Sequence, residues 1–115
     1  QKKKIVSKET SENMKMILES VVTEGSGSKA SVEGYQVGAK TGTSEKLPRR
    51  SGKYIASCIG FAPVDNPKVL TVVLIDEPEG IYYGGTIAAP VVSELLDNAL
   101  PYLGIKKTPQ KQTKK

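Results

Sequence analysis

The stretch GYQVGAKTGTS, residues 34–44, contains the first strand that the sequence predicts. The predicted strand covers residues 35–41 and carries the small residues Gly38 and Ala39, as is typical of a strand that another backbone approaches closely. A polar loop is predicted over residues 43–52. The end of this strand overlaps a K-T-G-T tetrapeptide, which is formed by Lys40, Thr41, Gly42 and Thr43.

Two more short strands are predicted after this stretch. Residues 54–61 and 69–75 are mainly apolar, and they are separated by a turn rich in Pro, Asp and Asn at residues 63–67. Links this short favour antiparallel neighbours, so we expect a meander in the order of the sequence.

A helix is predicted on each side of the three strands. The first covers residues 8–24, with Ser7 as N-cap and Gly25 as its end, and a flexible Gly/Ser connector is expected at residues 25–29. The second covers residues 86–103, with Pro90 in its first turn. The predicted apolar stripes are Met14, Ile17, Leu18, Val21 and Val22 in the first helix, and Ala88, Val92, Leu95, Leu96, Ala99 and Leu103 in the second. The fold class is therefore α+β, a three-stranded antiparallel sheet flanked by an N-terminal and a C-terminal helix.

The third predicted strand is apolar on both of its faces. It reads VLTVVLI over residues 69–75, and such a strand requires cover on each side. Two helices can cover one face of the sheet, and the sequence offers nothing for the other. We therefore expect the sheet to belong to a larger three-layer body, or a second copy of the chain to cover it.

The positive charge of the chain lies at its ends. The net charge is +5, but nine of the 17 lysine and arginine residues lie within positions 1–8 and 106–115. We expect a basic tail at residues 1–7, the folded domain at residues 8–104 and a disordered basic tail at residues 105–115. Since a nucleic-acid-binding module carries its basic residues on ordered elements, we expect no nucleic-acid partner.

The composition supports no metal, disulfide or membrane function. The chain has no His, and its single cysteine, Cys58, lies in an apolar run and is predicted to be a small core residue. No apolar run has the length of a membrane-spanning helix, and no signal-peptide pattern opens the sequence. We expect no cofactor and no metal, and a chain that is itself soluble and, since it starts Gln-Lys-Lys-Lys, excised or processed from a longer protein.

Five segments in a fixed order carry a resemblance to a known family. They are GYQVGAKTGTS at 34–44, GFAP at 60–63, DNPK at 65–68, IDEP at 75–78 and GGTIAAP at 84–90. Over residues 5–105 the chain resembles the end of the transpeptidase domain of class B penicillin-binding proteins of the sporulation and division type. The resemblance implies that the three strands belong to a five-stranded sheet. It also implies a membrane-anchored parent on the extracytoplasmic face of the bacterial plasma membrane, which acts on peptidoglycan stem peptides and binds β-lactams.

The resemblance makes K-T-G-T the substrate-binding strand. Lys40 would supply positive charge, and Thr41 and Thr43 would supply hydrogen bonds, for the free carboxylate of a peptide or β-lactam. Gly42 keeps the strand bare, so that a substrate backbone can lie along it. By the same resemblance, the backbone N–H of Thr43 is one half of the oxyanion hole.

The family's serine nucleophile has no credible counterpart in the sequence. The family set is S-x-x-K, then S-x-N, then K-T-G. Residues 26–29 (SGSK) and 11–13 (SEN) match by letter, but the first match lies in the Gly/Ser connector and the two stand in reversed order. A P-loop-like match ending at Lys40 and Thr41 has Ala39 where that loop needs Gly. We therefore expect the chain alone to be inactive, with the missing motifs upstream in a longer parent.

Two alternatives from other functional classes stay open. One is a non-catalytic interaction module that dimerises through its uncovered sheet face. The other is a basic nucleic-acid-binding protein that acts through its lysine tails.

Overall fold

The computed structural model describes residues 2–108, and its first element is helix α1, Lys8–Thr23. Ser7 caps it as predicted, because its side-chain oxygen accepts a hydrogen bond from the Thr10 N–H at 3.1 Å. The helix ends one residue earlier than predicted, at a C-cap formed by Glu24.

The Gly/Ser connector after α1 is ordered, so the prediction of flexibility is wrong. The Gly27 N–H donates to the Val21 carbonyl oxygen at 3.0 Å, and a short 3-10 helix, Ser28–Ala30, buries Ala30 completely. A Cβ at Gly27 would lie 3.0 Å from Cγ1 of Val21. The small residues here allow the chain to fold tightly against α1.

Three antiparallel strands form the sheet in the order β1-β2-β3, which confirms the predicted fold class. They are β1, Gly38–Glu45; β2, Tyr54–Ala62; and β3, Val69–Asp76. Strand β1 begins three residues later than predicted, because Val32 and Tyr35 close a tight turn around Gly34, whose φ is +84°. It also continues to Glu45, and the Lys46 N–H extends the hairpin by donating to the Lys53 carbonyl at 2.8 Å.

One face of the sheet packs on the C-terminal helix, and β1 and β2 line it mainly with small residues. A Cβ at Gly60 would overlap the Val92 side chain of that helix, so the helix lies directly against the β2 backbone. Cys58 is fully buried on this covered face, as predicted. The small side chains of the covered face are those of Ala39, Ala56, Cys58 and Ala62.

The opposite face of the sheet is apolar and largely open. Helix α1 covers only one end of it, where Met14 and Leu18 line a groove with Phe61 and Leu70. The two helices therefore contact different faces, whereas we had expected both on one face. The exposed large side chains of this open face are Ile59, Leu70, Val72 and Leu74, and in α1 the predicted stripe residues Met14 and Ile17 are exposed as well.

The predicted C-terminal helix consists of two helices, α2, Gly84–Ile87, and α3, Ala89–Tyr102. They separate at Ala88 because Pro90 has no N–H to donate to the carbonyl of Thr86. In α3 the buried side chains follow a spacing of four, at Val92, Leu96 and Leu100. Leu95 and Leu103, which we predicted to be buried, are exposed.

The chain stays packed for four residues beyond the predicted end of the domain. The Tyr35 hydroxyl donates to the Ile105 carbonyl at 2.6 Å, and the Thr108 N–H donates to the Gly34 carbonyl at 2.8 Å. The predicted disorder therefore does not hold for residues 105–108, while the rest of that tail, residues 109–115, lies outside the described residues. In residues 2–108 no helix has both the length and the apolar character needed to cross a membrane.

Candidate functional site

The K-T-G-T tetrapeptide lies in the middle of β1, which is an edge strand of the sheet. Gly38 and Ala39 at the start of the strand are buried, whereas Thr43, Ser44 and Glu45 at its end are exposed. Within residues 2–108, β2 is the only strand that pairs with β1. The backbone N–H and C=O groups on the free edge of β1 can therefore pair with an extended peptide as a further strand.

Lys40 projects from the open face of the sheet, opposite Ile59. Its ammonium group is exposed and donates to the carbonyl oxygen of Thr41 at 2.6 Å. Burial raises the pKa of the Cys58 thiol, and the positive charge of Lys40 opposes that rise. The charge of Lys40 is thus felt across the strand pair, since Cys58 lies directly opposite Thr41.

Thr41 and Thr43 lie on the covered face, and each hydroxyl has a partner from outside the sheet. The Thr41 and Ser26 hydroxyl oxygens are 3.1 Å apart, and the Gly84 N–H donates to Oγ1 of Thr43 at 3.1 Å. A hydroxyl that accepts a hydrogen bond keeps its own O–H free to donate. Thr43 is therefore oriented by Gly84 while remaining able to donate to a ligand.

The alternation of β1 divides the four predicted site residues between the two faces. Thr41 and Thr43 lie together on one side, and Lys40 lies on the other, with its ammonium group hydrogen-bonded to the Thr41 carbonyl oxygen. Gly42 faces Ser57, and a Cβ at this position would lie 2.5 Å from the Ser57 hydroxyl oxygen. A side chain here would force the Ser57 hydroxyl to move aside, and glycine avoids this contact independently of a substrate.

Gly84 and Gly85 support the tetrapeptide from the covered side. A Cβ at Gly84 would overlap the carbonyl oxygens of Gly42 and Ser57, and one at Gly85 would lie 2.5 Å from the Ser26 carbonyl. These two glycines and Ser26 were missed as site residues by the sequence prediction. The signal that could have revealed them is the Gly-Gly pair at the start of a helix, which is typical of close backbone contact.

The two letter matches to the catalytic motifs do not form a catalytic pair. Among the described residues no hydrogen bond joins Ser26 to Lys29, and Ser26 contacts Thr41 instead. Ser11 and Asn13 lie in α1, where Ser11 lines the groove beside Phe61. In residues 2–108 no three His, Cys, Asp or Glu side chains come together as metal ligands.

An ion-pair cluster holds the base of the β1–β2 loop. The Lys46 ammonium lies 3.0 Å from the Asp76 carboxylate and 2.8 Å from that of Glu77, and Lys53 lies 3.6 Å from Glu77. The hydrogen bond from Lys46, followed by the charges of Lys46 and Lys53, lowers the pKa of Glu77. The hydrogen bonds to Glu77 and Asp76 raise the pKa of Lys46. The loop is thereby tied to the end of β3.

Three tyrosines lie beyond the end of β1. The rings of Tyr54 and Tyr82 stack with their centroids 3.8 Å apart, and Tyr83 lies 4.6 Å from Tyr82. The neighbouring Tyr82 hydroxyl raises the pKa of Tyr83. Because Tyr54 pairs with Glu45, this stack borders the exposed half of the strand.

Comparison with known proteins agrees with the arrangement of this strand. The family model of the penicillin binding protein transpeptidase domain matches residues 1–97. The chain belongs to the penicillin-binding transpeptidase family. This confirms the resemblance carried by the K-T-G-T segment and its neighbours.

Named relatives of this transpeptidase chain come from several bacteria. It is 50% identical over 111 residues to stage V sporulation protein D of Bacillus subtilis. The alignment covers 91% of the chain and 17% of that protein. It is 40% identical over 113 residues to the probable peptidoglycan D,D-transpeptidase PenA of Neisseria meningitidis serogroup B, covering 94% of the chain and 19% of the relative. The chain thus spans less than a fifth of the length of either protein.

Solved transpeptidase domains share the fold. The transpeptidase domain of penicillin-binding protein 3 from Burkholderia pseudomallei superposes with a TM-score of 0.76 and 36% identity, over 86% of the chain and 31% of that structure. The transpeptidase domain of FtsI4 from Legionella pneumophila gives a TM-score of 0.74 and 33% identity, over 83% of the chain and 37% of that structure. The three-stranded sheet with its helices therefore corresponds to part of a transpeptidase domain.

Proposed function

We propose that the chain provides the carboxylate-binding half of a peptidoglycan D,D-transpeptidase active site. In this role Lys40 and the hydroxyls of Thr41 and Thr43 bind the terminal carboxylate of a peptide, and the Thr43 N–H is one oxyanion-hole donor. The observation that carries the proposal is the exposed edge of β1, where Gly84 and Ser26 fix the two hydroxyls from behind. The serine nucleophile and its lysine come from outside residues 1–115.

The open face of the sheet is the surface on which the rest of the transpeptidase domain packs in this proposal. Its exposed side chains, among them Ile59, Val72 and Leu74, are large and apolar. Burying one such side chain contributes about 1.5–3 kcal/mol. We propose that the complete protein acts on stem peptides and β-lactams at the extracytoplasmic face of the bacterial plasma membrane, without a nucleic-acid partner.

Two measurements test the proposed half-site. The first exposes the chain to a fluorescent penicillin and then denatures it. We expect no covalent label, because among residues 2–108 no hydrogen bond joins a serine hydroxyl to a lysine ammonium group. A label that survives denaturation, at Ser26 in particular, contradicts the proposal of an inactive chain.

The second measurement follows carboxylate binding by NMR of the isotope-labelled chain. A peptide that ends in D-Ala-D-Ala with a free carboxylate is expected to shift the amides of β1, and its carboxamide to shift them far less. Lys40→Gln should weaken binding about tenfold, the size of one charge-assisted hydrogen bond. The control Lys8→Gln removes an exposed lysine from the start of α1 and should have no effect. Equal binding of acid and amide would contradict the half-site.

A dimerising interaction module is the second candidate, and the open apolar face favours it. A second copy of the chain could cover Ile59, Leu70, Val72 and Leu74. Sedimentation at several concentrations decides this, since a strict monomer at all of them rules the dimer out.

A further inference from the structure

The β1–β2 loop, residues 46–53, carries a concentration of positive charge next to the K-T-G-T strand. We propose that this loop is an anion subsite, which recognises a second carboxylate on the peptide whose terminal carboxylate is bound by β1. The inference rests on the proposed function of β1 and extends it to the choice of substrate. The cations of the loop are Lys46, Arg49, Arg50 and Lys53.

Two of these four cations are already neutralised, and two are not. Lys46 and Lys53 pair with the carboxylates of Asp76 and Glu77. Within residues 2–108, no carboxylate lies within ion-pair distance of Arg49 or Arg50, and both side chains are exposed. The charge left over for a ligand is therefore that of the two arginines.

Hydrogen bonds fix the backbone of the loop around the two arginines. The Ser51 N–H donates to the Pro48 carbonyl at 3.0 Å, which places Arg49 and Arg50 at the centre of a tight turn. The Ser51 hydroxyl donates to the Lys46 carbonyl at 2.7 Å. Arg50 has a φ of 67°, in the left-handed region that residues with a side chain seldom adopt. The turn fixes the backbone of the two arginines, and each exposed guanidinium group offers a planar fork of donors that matches a carboxylate.

The accessible part of β1 sets the direction in which a bound peptide runs. Gly38 and Ala39 are buried, and Ser26 contacts Thr41, so the beginning of the strand is covered. The end of the strand, up to Glu45, is exposed. A peptide with its terminal carboxylate at K-T-G-T must therefore extend toward Glu45 and the loop, antiparallel to β1.

The spacing of the strand predicts where the second carboxylate lies. At about 3.3 Å per residue, Lys46, the first residue of the loop, lies about 10 Å beyond Thr43. Glu45 is exposed between the two sites and repels an acid paired next to it. The favoured acid thus stands about three to five residues before the C-terminus of the peptide.

Paired peptides test the subsite on the unaltered chain. Both end in D-Ala-D-Ala with a free carboxylate, and the fourth residue from the C-terminus is Glu in one and Gln in the other. At low salt we expect the Glu peptide to bind about threefold more tightly in NMR titrations, the size of an exposed ion pair. The preference should shrink as salt rises past about 0.15 M, where exposed charges are screened.

Matched charge variants show which residues cause the preference for the Glu peptide. The preference should disappear in the double variant R49Q/R50Q and persist in K2Q/K3Q, which removes the same charge from the N-terminal tail. Equal affinity for the two peptides, or an equal effect of the two variants, overturns the subsite. In that case the proposed β1 site still stands if the D-Ala-D-Ala peptide with a free carboxylate binds more tightly than its carboxamide. If the two bind equally, both the β1 site and the loop subsite are overturned. Binding of a single-stranded oligonucleotide that depends on Arg49 and Arg50, without discrimination between the peptides, assigns the loop to nucleic acid and also overturns the proposal.

Discussion

The two faces of the sheet are made by the same three strands, yet they differ in the size of the side chains that β2 contributes to them. On the covered face, small residues such as Ala56 and Gly60 let α3 approach until Val92 lies against the β2 backbone. On the open face, Leu70, Val72 and Leu74 protrude and stay exposed. In β2, small side chains therefore mark the face that is packed within the chain, whereas β3 carries large apolar side chains on both faces, with Val73 and Ile75 packed against the core.

The sharpest test of this comparison truncates one leucine that packs on the covered face and one that lies on the open face. Leu96→Ala in α3 should lower the free energy of unfolding by about 2–5 kcal/mol, because Leu96 is fully buried against the covered face. Leu74→Ala removes the same atoms from the open face and should cost no more than about 0.5 kcal/mol. Urea denaturation measures both. Equal losses would contradict the comparison, and a Leu74 effect that grows with protein concentration would mean that a second copy buries the open face.

The next largest effect is expected where the covered face meets the site. Gly84→Ala places a methyl group on the carbonyls of Gly42 and Ser57, so we expect a loss of about 1–3 kcal/mol and displaced NMR signals at Thr43. Gly80→Ala is the control, since its φ of +81° strains an alanine but the added atom meets nothing. That control should cost about 1 kcal/mol and leave Thr43 unchanged. If both variants perturb Thr43 alike, Gly84 does not position it.

A charge on the open face tests what that face is for. Leu74→Lys should leave the stability of the monomer nearly unchanged but weaken any self-association about tenfold, because an exposed apolar contact is replaced by a hydrated ammonium group. Leu103→Lys is the control, since Leu103 is also exposed but lies beyond α3, off the sheet. Sedimentation velocity distinguishes the two variants. An equal effect of both would mean that the open face has no special part in association.

The smallest effect is expected at the ion pairs beneath the β1–β2 loop. The pKa of Glu77 is lowered from 4.5, so its contribution to stability is present above that value and is lost as the pH falls through the lowered folded-state pKa. Glu77→Gln should therefore reduce the urea midpoint slightly at neutral pH and not at all in acid. Glu33→Gln, which removes an exposed carboxylate without an ion pair among the described residues, should change neither. A Glu77 effect that is unchanged in acid would contradict the ion-pair origin.

Much of the fold could be predicted because its signals are local. Ser7 predicts the start of α1, short apolar runs separated by turns predict the meander, and Pro90 marks the first turn of α3. The break at Ala88 was missed although it follows from the same proline, which has no N–H to donate. Helical periodicity shows that a helix has an apolar side, but not which face of the sheet that side meets. The position of α1 on the open face therefore could not be predicted from the sequence.

The candidate site was predicted only where it is contiguous in sequence. The strand predicted from residues 35–41 includes Lys40 and Thr41, but Thr43 was predicted to lie in a polar loop and is in β1. The partners that hold the two hydroxyls are 15 and 41 residues away, at Ser26 and Gly84. The segment around Ser26 was predicted to be flexible because it is rich in Gly and Ser. Glycine permits a tightly packed backbone as readily as a mobile one, and composition does not distinguish the two.

Strand β3 also has a consequence for handling the chain in solution. Seven of its eight residues, VLTVVLI at 69–75, carry no charge and no proline, and in residues 2–108 they have a strand partner on only one side. This is the signature of a segment that nucleates cross-β fibrils, with Lys68 and Asp76 as the gatekeepers at its two ends. Exchanging either gatekeeper for an uncharged residue extends the fibril-forming stretch, and thioflavin fluorescence would report the shorter lag before aggregation.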